Sequence, residues 1–534
     1  MPRPAPRTTA LAITAVLALA SCSGTDRAAS PGTAADLISV ATDTDGLPES
    51  LTGQQPDWET CEISGAREGD VVPQQLPDGT DWECATIDVP RDYAEPEGPA
   101  IPIAVIRART PAPAEERLGS LLFNFGGPGG SGVTTLPAFG DDYAALHERY
   151  DLVSFDPRGV GDSEGLVCLD DEELDDWFAA DRAPRTPREE AEYLQRVQDF
   201  AAACQERAGE LLPHLTTTDT ARDLDLIRHV LGDELLHYFG ISYGTQLGGV
   251  YAHLFPERVG RTVFDAVVDP TLTDEQGALG QATGFQRALG NFLESCTAET
   301  DCPLGSSPQE AERVLGDFLE RLREDPVPTR DPDGRPLSRS LAWTGIAQAL
   351  YSQDFWTFLT QGLDDALDAE GPDGTVLLVL ADALNGRTGD GSYSTLHASL
   401  RAVRCADSDR RYDIEDVRGL LPRFEEASPV FGETMAWSLL SCTGWPVDGE
   451  SAHPEVGAGG AATDILLIGT TGDPATPYEG VRRMRQALGE GVSVELTYDG
   501  EGHGAYHSGN SCVRQRTDAY LLEGEIPADG TTCT

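Results

Sequence analysis

Leu235-Leu236-His237-Tyr238-Phe239-Gly240-Ile241-Ser242-Tyr243-Gly244-Thr245-Gln246-Leu247-Gly248-Gly249 is the stretch whose reading decides the fold. Residues 235–241 form a largely apolar run of strand length, and 245–253 can follow as a helix packed through Gly248 and Gly249. Between them stands Gly240-Ile241-Ser242-Tyr243-Gly244, a G-x-S-x-G pattern. Glycines on either side of a serine relieve crowding at a sharp strand-to-helix turn, so its hydroxyl projects from the edge of a sheet. Five residues of this kind arise often by chance. The strand before and the helix after are what make Ser242 a candidate nucleophile.

Further apolar runs at 101–107, 121–125, 152–155, 262–268, 465–468 and 492–498 read as buried strands, several closed by Gly or Asp. Helical patterns at 188–209 and 220–231 lie among them, and this alternation predicts a doubly wound, mostly parallel α/β sheet. It breaks between about 271 and 445. There the patterns are helical (309–324, 341–361, and 413–421, which Pro422 is expected to end), as for a cap inserted ahead of a later strand. The expected organisation is a core in two parts, 56–270 and 446–534, around a helical cap at 271–445.

A serine nucleophile needs a base, an acid that orients the base, and donors for an oxyanion. In α/β sheets reactive groups gather at the carboxyl ends of the strands. His503, in Asp499-Gly500-Glu501-Gly502-His503-Gly504, follows the last long strand with glycines that free its loop; His507 is the rival four positions on. The acid is expected between Ser and His in chain order. Asp473, in Gly469-Thr470-Thr471-Gly472-Asp473-Pro474, follows the strand 465–468, while Asp269, closing 262–268, is the alternative. Oxyanion donors are expected at the backbone of Tyr243 and of the loop Gly126-Gly127-Pro128-Gly129-Gly130-Ser131-Gly132. That loop has neither the Lys nor the spacing of a P-loop.

The chain of 534 residues is too long for one core, and its formal net charge of −52 disfavours nucleic acid as a partner. All 38 basic residues are Arg; nothing physical explains the absence of Lys. Arg3 and Arg7 precede a short apolar stretch, 10–20, that ends in Leu19-Ala20-Ser21-Cys22. This reads as a lipoprotein signal peptide, 1–21, with Cys22 as the lipidation site, and 22–55, poor in periodicity, reads as a tether. The protein is thus expected outside the cytoplasmic membrane, lipid-anchored or released. Setting Cys22 aside from 11 cysteines leaves an even 10, and neighbours in sequence suggest Cys61–Cys84, Cys168–Cys204, Cys296–Cys302, Cys405–Cys442 and Cys512–Cys533. No CxxC pair and no His beside Cys suggests zinc, and no cofactor is implied.

Asn124-Phe125-Gly126-Gly127-Pro128-Gly129-Gly130-Ser131-Gly132, Phe155-Asp156-Pro157-Arg158-Gly159-Val160-Gly161, the elbow at Ser242, Asp473-Pro474-Ala475-Thr476-Pro477 and Gly502-His503-Gly504 stand in order along the chain. Together, from about residue 56 onward, they resemble the actinobacterial tripeptidyl aminopeptidases, exported relatives of the prolyl aminopeptidases with the α/β-hydrolase fold. The resemblance implies Ser242, Asp473 and His503 as a triad, and Gly127 with Tyr243 as oxyanion donors. Asp156 and Arg158 would buttress the glycine loop, whose Phe125 stands where prolyl aminopeptidases usually have His. A cap carboxylate, for which Asp407 is the candidate, would bind the free amine of peptide substrates. The expected activity is release of short peptides through an acyl-enzyme. An esterase or lipase with the same triad is the alternative, and a non-catalytic peptide-binding lipoprotein a third reading.

Overall fold

A computed structural model describes residues 46–61, 73–450, 454–461 and 463–534. The expected signal segment, Cys22 and the tether up to residue 45 lie outside the described residues. Ten strands form one sheet: β1 (Glu59–Thr60), β2 (Glu83–Pro90), β3 (Ala100–Ala108), β4 (Gly119–Asn124), β5 (Tyr150–Phe155), β6 (Leu236–Ile241), β7 (Val259–Asp265), β8 (Ile465–Gly472), β9 (Ser493–Glu501) and β10 (Thr531–Cys533). Their order is β1-β2-β3-β5-β4-β6-β7-β8-β9-β10. The pairs from β1 to β5 through β2 and β3 are antiparallel, and every pair from β5 to β10 is parallel.

The central strands are mostly apolar because both faces are covered. Successive side chains point to opposite sides. Leu122, Val153, Ile465 and Leu467 enter one hydrophobic cluster with the helix Thr217–Val230. Leu121, Phe123, Leu152, Leu466 and Ile468 enter the other, with Val513 and Tyr520 of the helix Ser511–Glu523.

Each of the seven expected strands is present. The run 262–268 overshoots, since β7 ends at Asp265 and Ala266, with φ of +55°, turns the chain out of the sheet. The strands β1, β2 and β10 were not foreseen, because two of them are only two or three residues long and β2 carries Glu83, Thr86 and Asp88 among its apolar residues.

The expected tether is too long at its end. Leu51, on the short helix Glu49–Thr52, is buried beside Ile87 and Val89. The Gln54 amide accepts from Asp88 N–H (2.7 Å) and donates to Asp88 C=O (2.8 Å), so the chain is docked on β2 ahead of residue 56. One leucine in a polar stretch leaves no periodicity to read.

Between β7 and β8 the chain is helical: Asp274–Ala298, Pro308–Arg321, Arg339–Leu350, Trp356–Leu367, Thr375–Asn385, Leu396–Asp407, Ile414–Ala427 and Gly432–Ser438. Phe292, Phe318, Ile346, Leu363, Phe424 and Trp437 pack in a cluster separate from the two on the sheet. The pattern 341–361 is two helices divided by a 3-10 turn at Gln353–Phe355. Pro422 does not end its helix, which continues to Ala427 with Val417 and Phe424 buried. Burial of that face on both sides of the proline offsets the one backbone hydrogen bond it removes.

All five expected disulfides are formed. Such a set is consistent with an oxidising compartment. Among the described residues no helix is long and apolar enough to cross a membrane.

Candidate active site

Ser242 follows the last residue of β6 and precedes the helix Tyr243–Leu254, with φ of 57° and ψ of −124°. A non-glycine residue in this region costs about 1–3 kcal/mol and persists only where its surroundings over-determine it. Here Ser242 N–H donates to Asp265 C=O (3.0 Å), and Ser242 C=O accepts from Thr245 N–H (2.8 Å) and Thr245 Oγ1 (2.7 Å). Thr245 Oγ1 in turn accepts from Val268 N–H, tying the elbow to the chain leaving β7. The glycines are sterically required. A Cβ on Gly126 would lie 2.7 Å from Ile241 O and 2.9 Å from Ser242 Cβ, and one on Gly244 would lie 2.5 Å from Asn124 O.

The glycine loop therefore lies directly against the elbow. Tyr243, first residue of its helix, has no intrahelical acceptor for its N–H. The Gly127 N–H has no protein acceptor among the described residues. Both residues line the cavity that Ser242 borders, where oxyanion donors are needed. Asp156 accepts from Ser131 Oγ (2.6 Å), Val133 N–H (3.1 Å) and Asp162 N–H (2.9 Å), fixing the far end of the loop. The Arg158 guanidinium is buried against Asp223, donating to both of its oxygens, and Asp223 Oδ1 also accepts from Tyr93 OH. Asp156 thus braces the glycine loop as expected, whereas the contacts of Arg158, to Asp223 and to the backbone of Pro90, Arg91 and His214, do not reach that loop.

His503 and Asp473 meet. His503 Nδ1 lies 3.0 Å from both carboxylate oxygens, and Asp473 is fully buried. Asp473 also accepts from Ala475 N–H (2.9 Å), Thr476 N–H (2.8 Å) and Thr476 Oγ1 (2.9 Å). An ionised carboxylate can only accept, so the proton is assigned to Nδ1 and Nε2 is left as the basic nitrogen. Burial acts to lower the His503 pKa, but the charge and hydrogen bond of Asp473, with a contribution from Asp265, leave it above the ordinary value. His503 N–H donates to Tyr351 C=O (2.8 Å), and the Tyr351 ring stands edge-on to the imidazole at 5.2 Å. The helical stretch thus grips the histidine loop directly.

His507 is elsewhere, stacked on Phe139 at 4.4 Å, and burial pushes its pKa down to about 4. Asp269 makes a turn, accepting from Thr271 N–H (2.9 Å) and Thr271 Oγ1 (2.6 Å) just before the helix Asp274–Ala298. Asp407 is buried at the end of the helix Leu396–Asp407 and shares a cavity of about 550 Å³ with Ser242, Gly127 and Tyr243. It accepts from Thr217 N–H (2.8 Å) and Thr217 Oγ1 (2.6 Å), and Thr217 Oγ1 also meets Tyr243 OH at 2.6 Å. Burial raises its pKa to about 7.

Two supporting residues escaped the sequence reading. Thr476 lay within a quoted motif, and its spacing, three residues after an aspartate, is the available signal for a local side-chain-to-backbone turn. Asp265 gave none, because the strand read from the sequence ran past it. Its carboxylate accepts from Ala505 N–H (2.9 and 3.0 Å) and Tyr506 N–H (2.8 Å), and so sets the loop that carries His503; burial raises its pKa. Asp265→Asn would set an amide N–H against these donors. We expect kcat/KM to fall about 10–100-fold, with a lower melting temperature, as the imidazole is misplaced. Full activity at unchanged stability would remove Asp265 from this role.

A serine at a strained strand-to-helix elbow, with a paired aspartate and histidine following β8 and β9, is the arrangement of a serine hydrolase of the α/β-hydrolase fold. The family model described as TAP-like protein matches residues 428–533. The serine protease Hip1 of Mycobacterium tuberculosis (strain ATCC 25618 / H37Rv) is 35% identical over 502 residues, 91% of this chain and 92% of that protein. The tripeptidyl aminopeptidase of Streptomyces lividans is 31% identical over 491 residues, 89% of this chain and 86% of that one. Carboxylesterase B of M. tuberculosis H37Rv is 34% identical over 500 residues, 92% of each. The chain belongs to the tripeptidyl aminopeptidase family of serine peptidases.

Proposed function

We propose that this protein is an exported exopeptidase that releases short peptides, tripeptides in the first instance, from free N-termini through an acyl-enzyme. Ser242 attacks the scissile carbonyl while His503 Nε2 takes its proton and hands it to the departing amine. Asp473 holds the imidazolium, and the N–H groups of Gly127 and Tyr243 receive the oxyanion. Water then attacks the acyl-enzyme by the same route. The helical stretch 271–445 is read as a cap over the cleft. Export is supported by the five disulfides, and lipidation at Cys22 remains part of the proposal.

The observation that carries the exopeptidase reading is Asp407. It is a buried carboxylate in the wall of the Ser242 cavity, and no Arg or His among the described residues pairs with it. A buried carboxylate with hydrogen bonds but no cationic partner is costly to ionise, and a substrate ammonium placed there would relieve that cost. The name of the Streptomyces relative supports the fragment length.

Tripeptide anilides with a free amine and with an N-acetyl cap test the reading. The free amine should be preferred by about 30-fold or more, since losing one partner of a buried charge pair costs roughly 2 kcal/mol or more. Asp407→Asn should erase the preference. Equal rates on both substrates, with fast cleavage of simple acyl esters, would instead favour the esterase reading that the carboxylesterase B relative supports.

A further inference from the structure

The Ser242 cavity holds a second charge that the reading above leaves without a task. Arg404 lines it and lies three residues before Asp407 on the helix Leu396–Asp407, hence on the same face. The two do not pair: both Asp407 oxygens are turned to Thr217. The Arg404 guanidinium makes no hydrogen bond or ion pair among the described residues, although the charge of Asp274 acts on it. Asp274 is itself engaged by Ser408 Oγ at 2.7 Å. The other arginines of the cavity wall are occupied, Arg410 over the Tyr412 ring at 4.9 Å and Arg483 with Gln486 Oε1 at 3.3 Å.

Arg404 is exposed to the cavity, yet protein surrounds it closely enough that desolvation lowers its pKa. Arg404 lines the same cavity as Ser242, Gly127 and Tyr243, so the guanidinium borders the space a bound substrate would fill. A guanidinium in such a place is satisfied best by a carboxylate, which can take two parallel N–H donors. A cavity of about 550 Å³ has room for a ligand of a few residues that reaches both charges.

We propose that Arg404 is a specificity-determining residue, selecting peptides that carry a carboxylate within a few residues of the free amine. This rests on the exopeptidase reading, with Asp407 receiving the ammonium while Arg404 receives the carboxylate. The carboxylate comes either from an acidic side chain or from the free C-terminus of a short peptide. The competing account is that Arg404 merely complements the dipole at the last turn of its helix.

The test uses the full-length protein and free-amine tripeptide anilides bearing Glu, Gln or Lys at each position in turn, alongside unblocked short peptides and their C-terminal amides. The wild type should favour Glu over Gln at one position, or the free C-terminus over its amide, by about tenfold or more in kcat/KM. The two arms separate the sources. Arg404→Gln should level the ratio, and Arg404→Glu should shift the preference toward Lys. Arg404→Lys, the variant to use if the others fail to fold, should keep part of the selection. A wild type indifferent to Glu, Gln and C-terminal charge overturns the proposal, as does a ratio unchanged in Arg404→Gln, whether or not its melting temperature falls. Loss of the free-amine preference with the Glu-to-Gln ratio intact would sink the exopeptidase reading and leave carboxylate selection by Arg404 standing.

Discussion

Ser242→Ala is expected to leave a folded protein whose kcat falls about a million-fold, the scale seen when a nucleophile of this kind is removed. Stability should change by no more than about 0.5 kcal/mol, because the backbone contacts that hold the elbow do not involve the hydroxyl. Alanine at φ of 57° meets the same strain as serine, so it neither relieves nor adds to it. A fluorophosphonate should label the wild type at Ser242 and leave the variant unlabelled. If the variant keeps a per cent of its activity, or the wild type fails to react, Ser242 is not the nucleophile and the peptide-binding reading gains.

For Asp473→Asn the expected loss is about 10⁴-fold in kcat, and the hydrogen bonds around the carboxylate say why. Oδ1 accepts from Ala475 N–H and Thr476 N–H, so an asparagine must place its carbonyl oxygen there. Its NH₂ then occupies the Oδ2 position and points a donor at His503 Nδ1, 3.0 Å away. The imidazole must answer with an unprotonated Nδ1, which moves its proton to Nε2, where the base is needed. The pH profile supplies a second readout. Neutral His503 is the active form and its pKa is raised, so the acid limb of kcat/KM should lie above pH 6.5, with activity rising through it. Removing the Asp473 charge should move that limb to lower pH. A limb that stays in place would mean that another group titrates.

The fold was legible wherever burial on both faces writes a continuous apolar run. The runs that became β4, β5, β6 and β8 stand out because helices cover the sheet on either side. Pro422 misled because local chemistry argues for a stop, while the buried face around Val417 and Phe424 carries the helix past it. Leu51 and Gln54 were invisible for the reverse reason. Their docking on β2 is made by contacts distant in sequence, which leave no local pattern.

The site divides in the same way. Ser242, Asp473 and His503 each sit beside glycines or a proline that a strand end requires, so the sequence alone named them and their order. The cysteines paired as sequence neighbours because the chain between each pair folds back locally. Asp265, Tyr351 and Arg404 had no such mark. Their parts depend on what lies opposite them: the backbone of the histidine loop for Asp265, the imidazole for Tyr351, and an unpaired position in the cavity wall for Arg404. Sequence determined the turn at Ser242 because an elbow is a local conformational requirement. Tertiary structure alone decided which charges surround it, because a charge acts through space and its neighbours come from the whole length of the chain.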